Sequence, residues 1–251
     1  MLNKFLDFID APPRCLFCGE ESDDRALPFC PECLPQFKEL LDGLCPECGQ
    51  TAENCLCAPT PSAARTYYLL WYSGKKQRDA VYRLKRSAGR CDFRYLAGLL
   101  ETQIRRLSGK APPFECLCFV PRSPAAVREY GYDQAKRLAK ELAALLGLPC
   151  VALLKHTGVK GEQKRLNRLF RGHAVKTRFK ANPKLCADRK LPYKRVLLVD
   201  DVATTGATLG ECARILKSMG VKTVFTAVIA RTPLVLKPEF TNAESGMRDA
   251  E

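Results

Sequence analysis

The chain has no apolar run that approaches the roughly 18 residues needed for a membrane-spanning helix. Its first 14 residues carry acids within their apolar stretch and lack a small-residue cleavage site, so they do not resemble a targeting segment. We therefore expect a cytoplasmic protein without membrane insertion. Disulfide frameworks are uncommon in that compartment, and clustered cysteines are better explained there by metal binding.

Histidine is scarce as well. His156 and His173 are the only two in the sequence. Both lie in a strongly basic stretch, residues 155–180, where side chains are usually solvated. We expect both to be surface residues, and no other residue stands out as a general base. We also expect no amidotransferase half, because residue 2 is leucine and the chain leaves no room for a glutaminase domain.

Basic residues dominate the charge of the chain. The 41 Lys and Arg against 27 Asp and Glu give a net charge of +14. Residues 1–60 carry a net charge of −7, so the remainder carries +21. A positive field confined to one part of the chain favours polyanionic partners, meaning phosphates, nucleotides or nucleic acid. A solvated basic surface is the alternative interpretation.

Cysteine, in contrast, is abundant, and eight of the 14 cysteines lie within residues 15–57. Two residues between paired cysteines form a tight turn that directs both thiolates at one cation, and two such turns close a four-cysteine zinc site. Such closed sites are structural, so we predict a zinc-ribbon module over residues 1–60 with one or two ions; which pairs share an ion is left open. The candidate ligands are Cys15 and Cys18, Cys30 and Cys33, Cys45 and Cys48, and Cys55 and Cys57.

The rest of the chain alternates strand-like and helical segments. This alternation predicts an α/β fold with a mostly parallel sheet and helices on both faces. The predicted domain covers residues 67–231, after a Pro- and Ala-rich linker, and residues 232–251 are expected to be disordered. The predicted strands are 67–72, 116–120, 151–154, 196–199 and 221–230, and the clearest predicted helices are 95–107, 135–146 and 208–219.

The segment VLLVDDVATTGAT, residues 196–208, places two adjacent acids and a glycine-containing turn between a buried strand and an amphipathic helix. In an open α/β sheet such a turn binds ligands, because backbone N–H groups and the helix N-terminus together hold a phosphate. Gly206 lets the backbone approach the ligand closely. Asp200 and Asp201 would repel a phosphate, so they need donors such as the two hydroxyls of a ribose, or a metal ion. The segment thus predicts a site for a sugar that carries a 5′-phosphate.

These thirteen residues resemble the phosphoribosyl pyrophosphate (PRPP) signature of type I phosphoribosyltransferases. The fuller resemblance is to the ComF family, which joins an N-terminal zinc ribbon to this transferase fold and is associated with natural competence. Tyr130, Asp133 and Ala174 depart from the family pattern, around the presumed second-substrate side. The resemblance also rests on residues 72–90, on FVPRSP at 119–124, on REYGYDQAKRLA at 128–139, and on Gln163, Leu166, Arg171, Val175 and Phe179.

The resemblance implies a role for each residue of the motifs. Asp200 and Asp201 would hold the ribose 2′- and 3′-hydroxyls, and Arg122 and Ser123 would hold the pyrophosphate. Mg²⁺ would bridge the pyrophosphate and the ribose hydroxyls, and the basic stretch 155–180 would close over the donor. The 5′-phosphate would be held by Ala203, Thr204, Thr205, Gly206, Ala207 and Thr208.

Two functions are compatible with these features. The first is a Mg²⁺-dependent phosphoribosyltransferase that displaces pyrophosphate from PRPP in favour of an acceptor that the sequence does not name. The second is a non-catalytic competence factor that binds single-stranded DNA beside the DNA-import machinery and keeps the PRPP site as a sensor or vestige. Its basic groove would add stacking aromatics, for which core packing is the alternative. The candidate rings are Tyr67, Tyr68, Trp71, Tyr72 and Phe93.

Overall fold

The computed structural model of the protein describes residues 13–22, 24, 26–45, 50–51, 60, 62–72, 74–86, 90–109, 111–158, 178–186 and 191–232. The predicted zinc ligands Cys48, Cys55 and Cys57 lie outside these residues, as do His173, Ala174 and most of the basic stretch. Within the described residues, no helix is long and apolar enough to cross a membrane.

Strands and helices alternate along the described part of the chain, as predicted. The strands are β1 (Thr66–Trp71), β2 (Cys116–Phe119), β3 (Leu154–His156), β4 (Phe179–Ala181), β5 (Arg195–Val199), β6 (Val202–Ala203) and β7 (Thr223–Arg231). The helices are α1 (Cys33–Leu41), α2 (Lys75–Arg86), α3 (Arg90–Ser108), α4 (Pro124–Tyr130), α5 (Gln134–Leu146), α6 (Pro183–Cys186) and α7 (Ala207–Ser218).

The main sheet is parallel and has the strand order β1–β7–β5–β2, with β6 also paired to β7. Its register aligns Phe119 with Val199 and Val199 with Ala227. The carboxyl ends of β2 and β5 therefore lie side by side, which is where ligands bind in sheets of this kind.

Each face of the sheet is buried by its own helices, because successive side chains of a strand point to opposite faces. Leu117 and Leu197 pack in a cluster with side chains of α3 and α5, whereas Cys118 and Leu198 pack in another with side chains of α7. Cys116 shares the second cluster with Cys118, as predicted from their spacing. The result is a three-layer α/β/α arrangement.

The prediction of a strand at residues 151–154 is wrong. Cys150 forms an isolated bridge with Leu117 at the edge of the main sheet. The next strand, β3, begins only at Leu154 and pairs antiparallel with β4 in a separate two-stranded sheet. The apolar run is real, since Leu153 and Leu154 are buried, but a short run does not specify its pairing partner.

The part of the chain that carries Cys15, Cys18, Cys30 and Cys33 and continues into α1, which we call the cysteine segment, packs directly on the α/β layers. Phe17, Phe29 and Phe37 form a ring cluster in which Phe29 stacks on Phe37 with centroids 4.0 Å apart. This ring cluster belongs to the same buried cluster as Leu70 of β1 and Leu84 of α2. The segment therefore shares a continuous core with one face of the sheet.

Candidate functional site

A cavity of about 250 Å³ lies at the carboxyl ends of β2 and β5. The loop after β2 contributes Arg122 and Ser123, and the loop after β5 contributes Asp200 and Asp201. The structure therefore brings together the predicted pyrophosphate and ribose residues, although about 80 residues separate them in sequence. The remaining lining residues are Lys85, Val120, Pro121, Asp133, Gln134, Ala135, His156, Phe179 and Thr208.

Asp200 and Asp201 are held by the backbone of the neighbouring strand. The N–H of Asp200 donates to the carbonyl oxygen of Ala227, and the carbonyl oxygen of Asp201 accepts from Ile229, both at 3.0 Å. Burial raises the pKa of Asp200 well above its usual range, and the nearby carboxylate of Asp201 raises it further. Such an acid pair favours a ligand that brings hydroxyl donors or positive charge.

Lys85, at the end of α2, meets this acid pair from a different layer of the fold. Its ammonium group lies 3.2 Å from Oδ2 of Asp201. The carbonyl oxygen of Lys85 accepts from the side-chain amide of Gln134 at 2.8 Å, and the oxygen of that amide accepts from the guanidinium of Arg122. A chain of contacts thus links the basic helix, the start of α5 and the loop after β2 around one cavity.

The two loops that flank the cavity begin helices with side-chain caps. Ser123 Oγ accepts from the N–H of Ala126 at 3.2 Å at the start of α4. Asp133 caps α5 through Oδ1, which accepts from the N–H of Lys136 at 3.0 Å, while its Oδ2 accepts from the N–H of Arg122 at 2.9 Å. Asp133 therefore fixes the backbone of the loop that carries Arg122.

The turn between β6 and α7 has the features of a phosphate-binding loop. Gly206 is the N-cap residue of α7 and has a φ of 70°, a conformation that glycine adopts readily. Among the described residues, no group accepts a hydrogen bond from the backbone N–H of Thr204, Thr205 or Gly206. Unbonded amides at a helix N-terminus favour an anion. Ala203 is buried in β6 and Ala207 starts α7, so these two predicted residues supply backbone rather than polar side chains.

A basic side chain approaches this turn from the second, smaller sheet. Arg178 donates to Oγ1 of Thr208 at 3.3 Å, and the guanidinium carbon of Arg178 lies 5.6 Å from the ring centroid of Phe179. Because Thr208 and Phe179 both line the cavity, Arg178 adds positive charge beside the turn that offers the free amides.

His156 also lines the cavity, where it is half-buried rather than fully solvated. Burial lowers the pKa of His156, and the positive charge of Arg178 lowers it further. Its Nδ1 accepts from the N–H of Gly158 at 3.0 Å. The neutral ring therefore carries its proton on Nε2 and offers a hydrogen-bond donor, not a base.

The first four cysteines meet in one cluster that fits a metal ion. The sulfurs of Cys15, Cys18, Cys30 and Cys33 all lie within 4.8 Å of one another. The Sγ atoms of Cys18 and Cys30 are 3.8 Å apart, which matches the edge of about 3.8 Å expected for a tetrahedron with Zn–S bonds of about 2.3 Å. Gly19, directly after the first pair, has φ of 85°. The first two cysteine pairs, Cys15/Cys18 and Cys30/Cys33, therefore share this site.

Cys45 belongs elsewhere in the structure. It is buried in the cluster on the α7 side of the sheet, together with Tyr68 and Trp71. Its predicted partners lie outside the described residues, so the second zinc site stays a prediction.

The predicted base-stacking aromatics are core residues. Tyr67, Tyr68, Trp71 and Phe93 are each 7% exposed or less, and Tyr72 is half-buried against the core. Rings buried to 7% exposure or less cannot stack on nucleobases, so the stacking interpretation is wrong for Tyr67, Tyr68, Trp71 and Phe93, whereas for Tyr72 it stays a prediction.

Comparison with known proteins agrees with this architecture. A family model described as the phosphoribosyl transferase domain matches residues 133–243. Competence protein F of Haemophilus influenzae is 35% identical over 105 residues, which are 40% of this chain and 43% of that protein. Competence protein ComFC of Streptococcus pneumoniae is 22% identical over 237 residues, which are 87% of this chain and 100% of that protein.

A crystal structure of a purine phosphoribosyltransferase from Pyrococcus horikoshii is 19% identical, with a TM-score of 0.32 over 62% of this chain and 92% of that one. The domain match, the parallel sheet with helices on both faces and the four-cysteine cluster confirm the predicted type I phosphoribosyltransferase-like fold. The domain match and the names of the two competence proteins support the predicted resemblance of this chain to the ComF family.

Proposed function

We propose that the protein binds PRPP and transfers its phosphoribosyl group to an acceptor, with release of pyrophosphate. The observation that carries this proposal is that one cavity contains two adjacent acids, Asp200 and Asp201, beside the basic side chains of Lys85 and Arg122. A phosphorylated sugar needs both kinds of group, because hydroxyls donate to carboxylates and phosphates accept from cations.

In the bound state, Asp200 and Asp201 accept from the ribose hydroxyls at the end of β5. The amides of Thr204 to Gly206 and the hydroxyl of Thr208 hold the 5′-phosphate, with Arg178 beside them. Arg122, Ser123 and Lys85 hold the pyrophosphate on the opposite wall. This arrangement leaves C1 of the ribose between the two walls, where bond breaking separates pyrophosphate from the sugar.

The acid pair also fits a magnesium ion. Asp200 and Asp201 offer hard carboxylate oxygens at the cavity wall, and the raised pKa of Asp200 supports a site where added positive charge is favoured. Magnesium would neutralise the pyrophosphate as it leaves. The chain's own residues orient the donor: Asp133 fixes the Arg122 loop, and Gln134 links Arg122 to the end of α2.

The four-cysteine cluster of Cys15, Cys18, Cys30 and Cys33 holds a structural zinc ion in this proposal. Its geometry and closed ligand set support zinc, since no coordination position is left for a substrate. We assign residues 1–60 to this module and residues 67–231 to the transferase domain. The two relatives are both named competence proteins, which supports a role in competence.

The test is calorimetry with PRPP and Mg²⁺, followed by a screen for pyrophosphate release across nucleobases and amines. Wild-type protein should bind PRPP, and the D201N variant should lose binding because an amide donates where the ribose hydroxyl also donates. E129Q, a change at an exposed acid of α4, is the matched control. The absence of PRPP binding to the wild-type protein would contradict the proposal.

A second function, binding of single-stranded nucleic acid, is supported by one surface feature. The guanidinium carbon of Arg86 lies 4.8 Å from the ring centroid of Tyr82 and 5.7 Å from that of Tyr130. Arg122 stacks on Tyr130 at 4.5 Å. We call Tyr82, Arg86, Tyr130 and Arg122 the aromatic–arginine row. It runs from the cavity wall to Tyr82, which is 55% exposed, and alternating rings and cations suit bases and phosphates.

Fluorescence anisotropy with a short labelled oligonucleotide tests this second function. Binding should weaken steeply with salt and fall by about 5-fold or more in Y82A, since a base–aromatic stack contributes about 1–3 kcal/mol. Y82F keeps the ring and should bind normally. Nucleic-acid binding that survives D201N would be independent of the PRPP site, whereas equal affinity in Y82A and wild type would exclude the row.

A further inference from the structure

Arg83 of α2 reaches the turn inside the four-cysteine cluster. Its Nη1 donates to the carbonyl oxygens of Leu16 at 3.0 Å and Phe17 at 2.6 Å, and its Nη2 donates to that of Cys18 at 3.2 Å. These carbonyls belong to the turn that starts at Cys15. One planar guanidinium therefore holds the turn at three points, with a geometry that a point charge would not reproduce.

Gly19 shows how closely the turn and Arg83 fit. A Cβ at this position would lie 2.9 Å from Nε of Arg83, and the backbone φ of 85° disfavours other residues. The close packing of α2 against the turn that starts at Cys15 is therefore a structural feature of the four-cysteine cluster.

The same helix ends at the cavity. The carbonyl oxygen of Leu84 accepts from the hydroxyl of Tyr132 at 2.6 Å, and that of Lys85 accepts from Gln134. Arg83 and Lys85 are two positions apart, so they point to nearly opposite sides of the helix. Arg83 contacts the cysteine turn while Lys85 contacts Asp201.

We propose that Arg83 is a positioning residue that couples metal binding by the four-cysteine cluster to PRPP binding in the cavity. With metal held by Cys15 and Cys18, the three carbonyls converge on Arg83 and fix α2, which places Lys85 at Asp201. When the turn loses its fixed form, that constraint on the helix end is lost. Because coupling free energies are reciprocal, PRPP must also strengthen metal retention. The inference rests on the proposed PRPP site.

The test is the zinc affinity of the full chain, measured at equilibrium against a chromogenic chelator with and without PRPP in excess Mg²⁺. PRPP should raise the zinc affinity of the wild-type protein about 5-fold or more, the lower end of typical couplings. R83M should abolish this effect while it still binds zinc. In the control K76M, α2 loses a different contact with the cysteine segment, from Lys76 to Gln36 of α1, and the PRPP effect should persist.

R83M measured in the same buffer also controls for direct metal binding by PRPP. R83K keeps the charge and one donor direction, so it should restore part of the coupling, and it gives the same comparison if R83M does not fold. An equal PRPP effect in R83M or R83K and wild type would overturn the inference, as would an equal loss in K76M. PRPP that binds wild type by calorimetry without changing zinc affinity would overturn the coupling alone; PRPP that does not bind would overturn the proposed function.

Discussion

The ammonium group of Lys85 lies 3.2 Å from Oδ2 of Asp201, and both side chains face the cavity between β2 and β5. This pair joins a basic helix to the acidic end of a strand more than 100 residues later in sequence. In the free protein the lysine neutralises one of two adjacent acids. In the proposed complex a ribose hydroxyl donates to Asp201, and the same ammonium group lies beside the pyrophosphate.

Replacement of Lys85 by methionine should therefore weaken PRPP binding. The K85M variant loses a charged hydrogen-bond donor, which contributes about 1.5–3 kcal/mol, so we expect the dissociation constant to rise about 10- to 100-fold by calorimetry. K75M, at the exposed start of the same helix, should bind like the wild type. Unchanged affinity in K85M would show that the lysine does not contact the ligand.

Asp200 makes the stability of the free protein depend on pH. Its pKa is raised in the folded state by burial and by Asp201. Above a pH of about 3.9 the unfolded chain releases this proton while the folded protein retains it. The free energy of unfolding that protonated Asp200 contributes is therefore lost as the pH rises from about 3.9 through the pKa that Asp200 has in the folded protein. D200N carries no titrating group at this position and should not lose it.

Thermal unfolding measured between pH 4 and pH 8 checks this sign. The melting temperature of D200N minus that of wild type should increase with pH and be positive at pH 8, although D200N should bind PRPP poorly. The exposed Glu129, changed to glutamine, is the control and should leave the pH profile unchanged. A difference that decreases with pH would mean that Asp200 is stabilised as a carboxylate in the free protein.

The sequence predicted the features that depend on local pattern. The boundaries of β5 and α7 follow from apolar periodicity, and the acids and small residues between them carry the PRPP-loop prediction. The four-cysteine cluster follows from cysteine spacing, because a two-residue gap restricts the turn by itself. Gly19 adopts the positive φ that this turn requires.

Other parts of the site depend on packing between distant segments. Lys85 looked like one of many basic residues of α2, and only the position of that helix brings it to Asp201. His156 lies in a basic stretch, yet the pairing of β3 with β4 places it in the cavity wall. The sequence allows the aromatic residues of β1 to be either ligands or core residues, and the structure buries them in the core.

Metal loss should destabilise the whole protein rather than the cysteine segment alone. Phe29 and Phe37 share a buried hydrophobic cluster with Leu70 and Leu84. Disorder at the four-cysteine cluster therefore exposes part of the sheet's core. The C18S variant should contain less zinc by atomic emission and melt at a lower temperature. C150S changes a half-buried cysteine outside the cluster and should retain the metal. A separate low-temperature transition, with the main one unchanged, would show that the two parts unfold independently.

Asp133 uses both carboxylate oxygens, and its asparagine variant separates their roles. Oδ1 accepts from the N–H of Lys136 and Oδ2 from the N–H of Arg122, whereas an amide has a single acceptor oxygen. Because asparagine is a strong N-cap, D133N should keep the bond at Lys136 and lose the bond at Arg122. One lost hydrogen bond costs about 1 kcal/mol, which lowers the melting temperature by about 2–4 °C.

Residue-resolved hydrogen exchange distinguishes these two bonds. In D133N the Arg122 amide should exchange faster than in wild type, while the Lys136 amide keeps its protection. S123A removes the neighbouring cap at Ala126 and should leave the Arg122 amide protected, so it is the matched control. Because Arg122 lines the cavity, its loosened backbone should also speed the dissociation of PRPP in D133N. Equal exchange at Arg122 in D133N and wild type would mean that Oδ2 does not fix the loop.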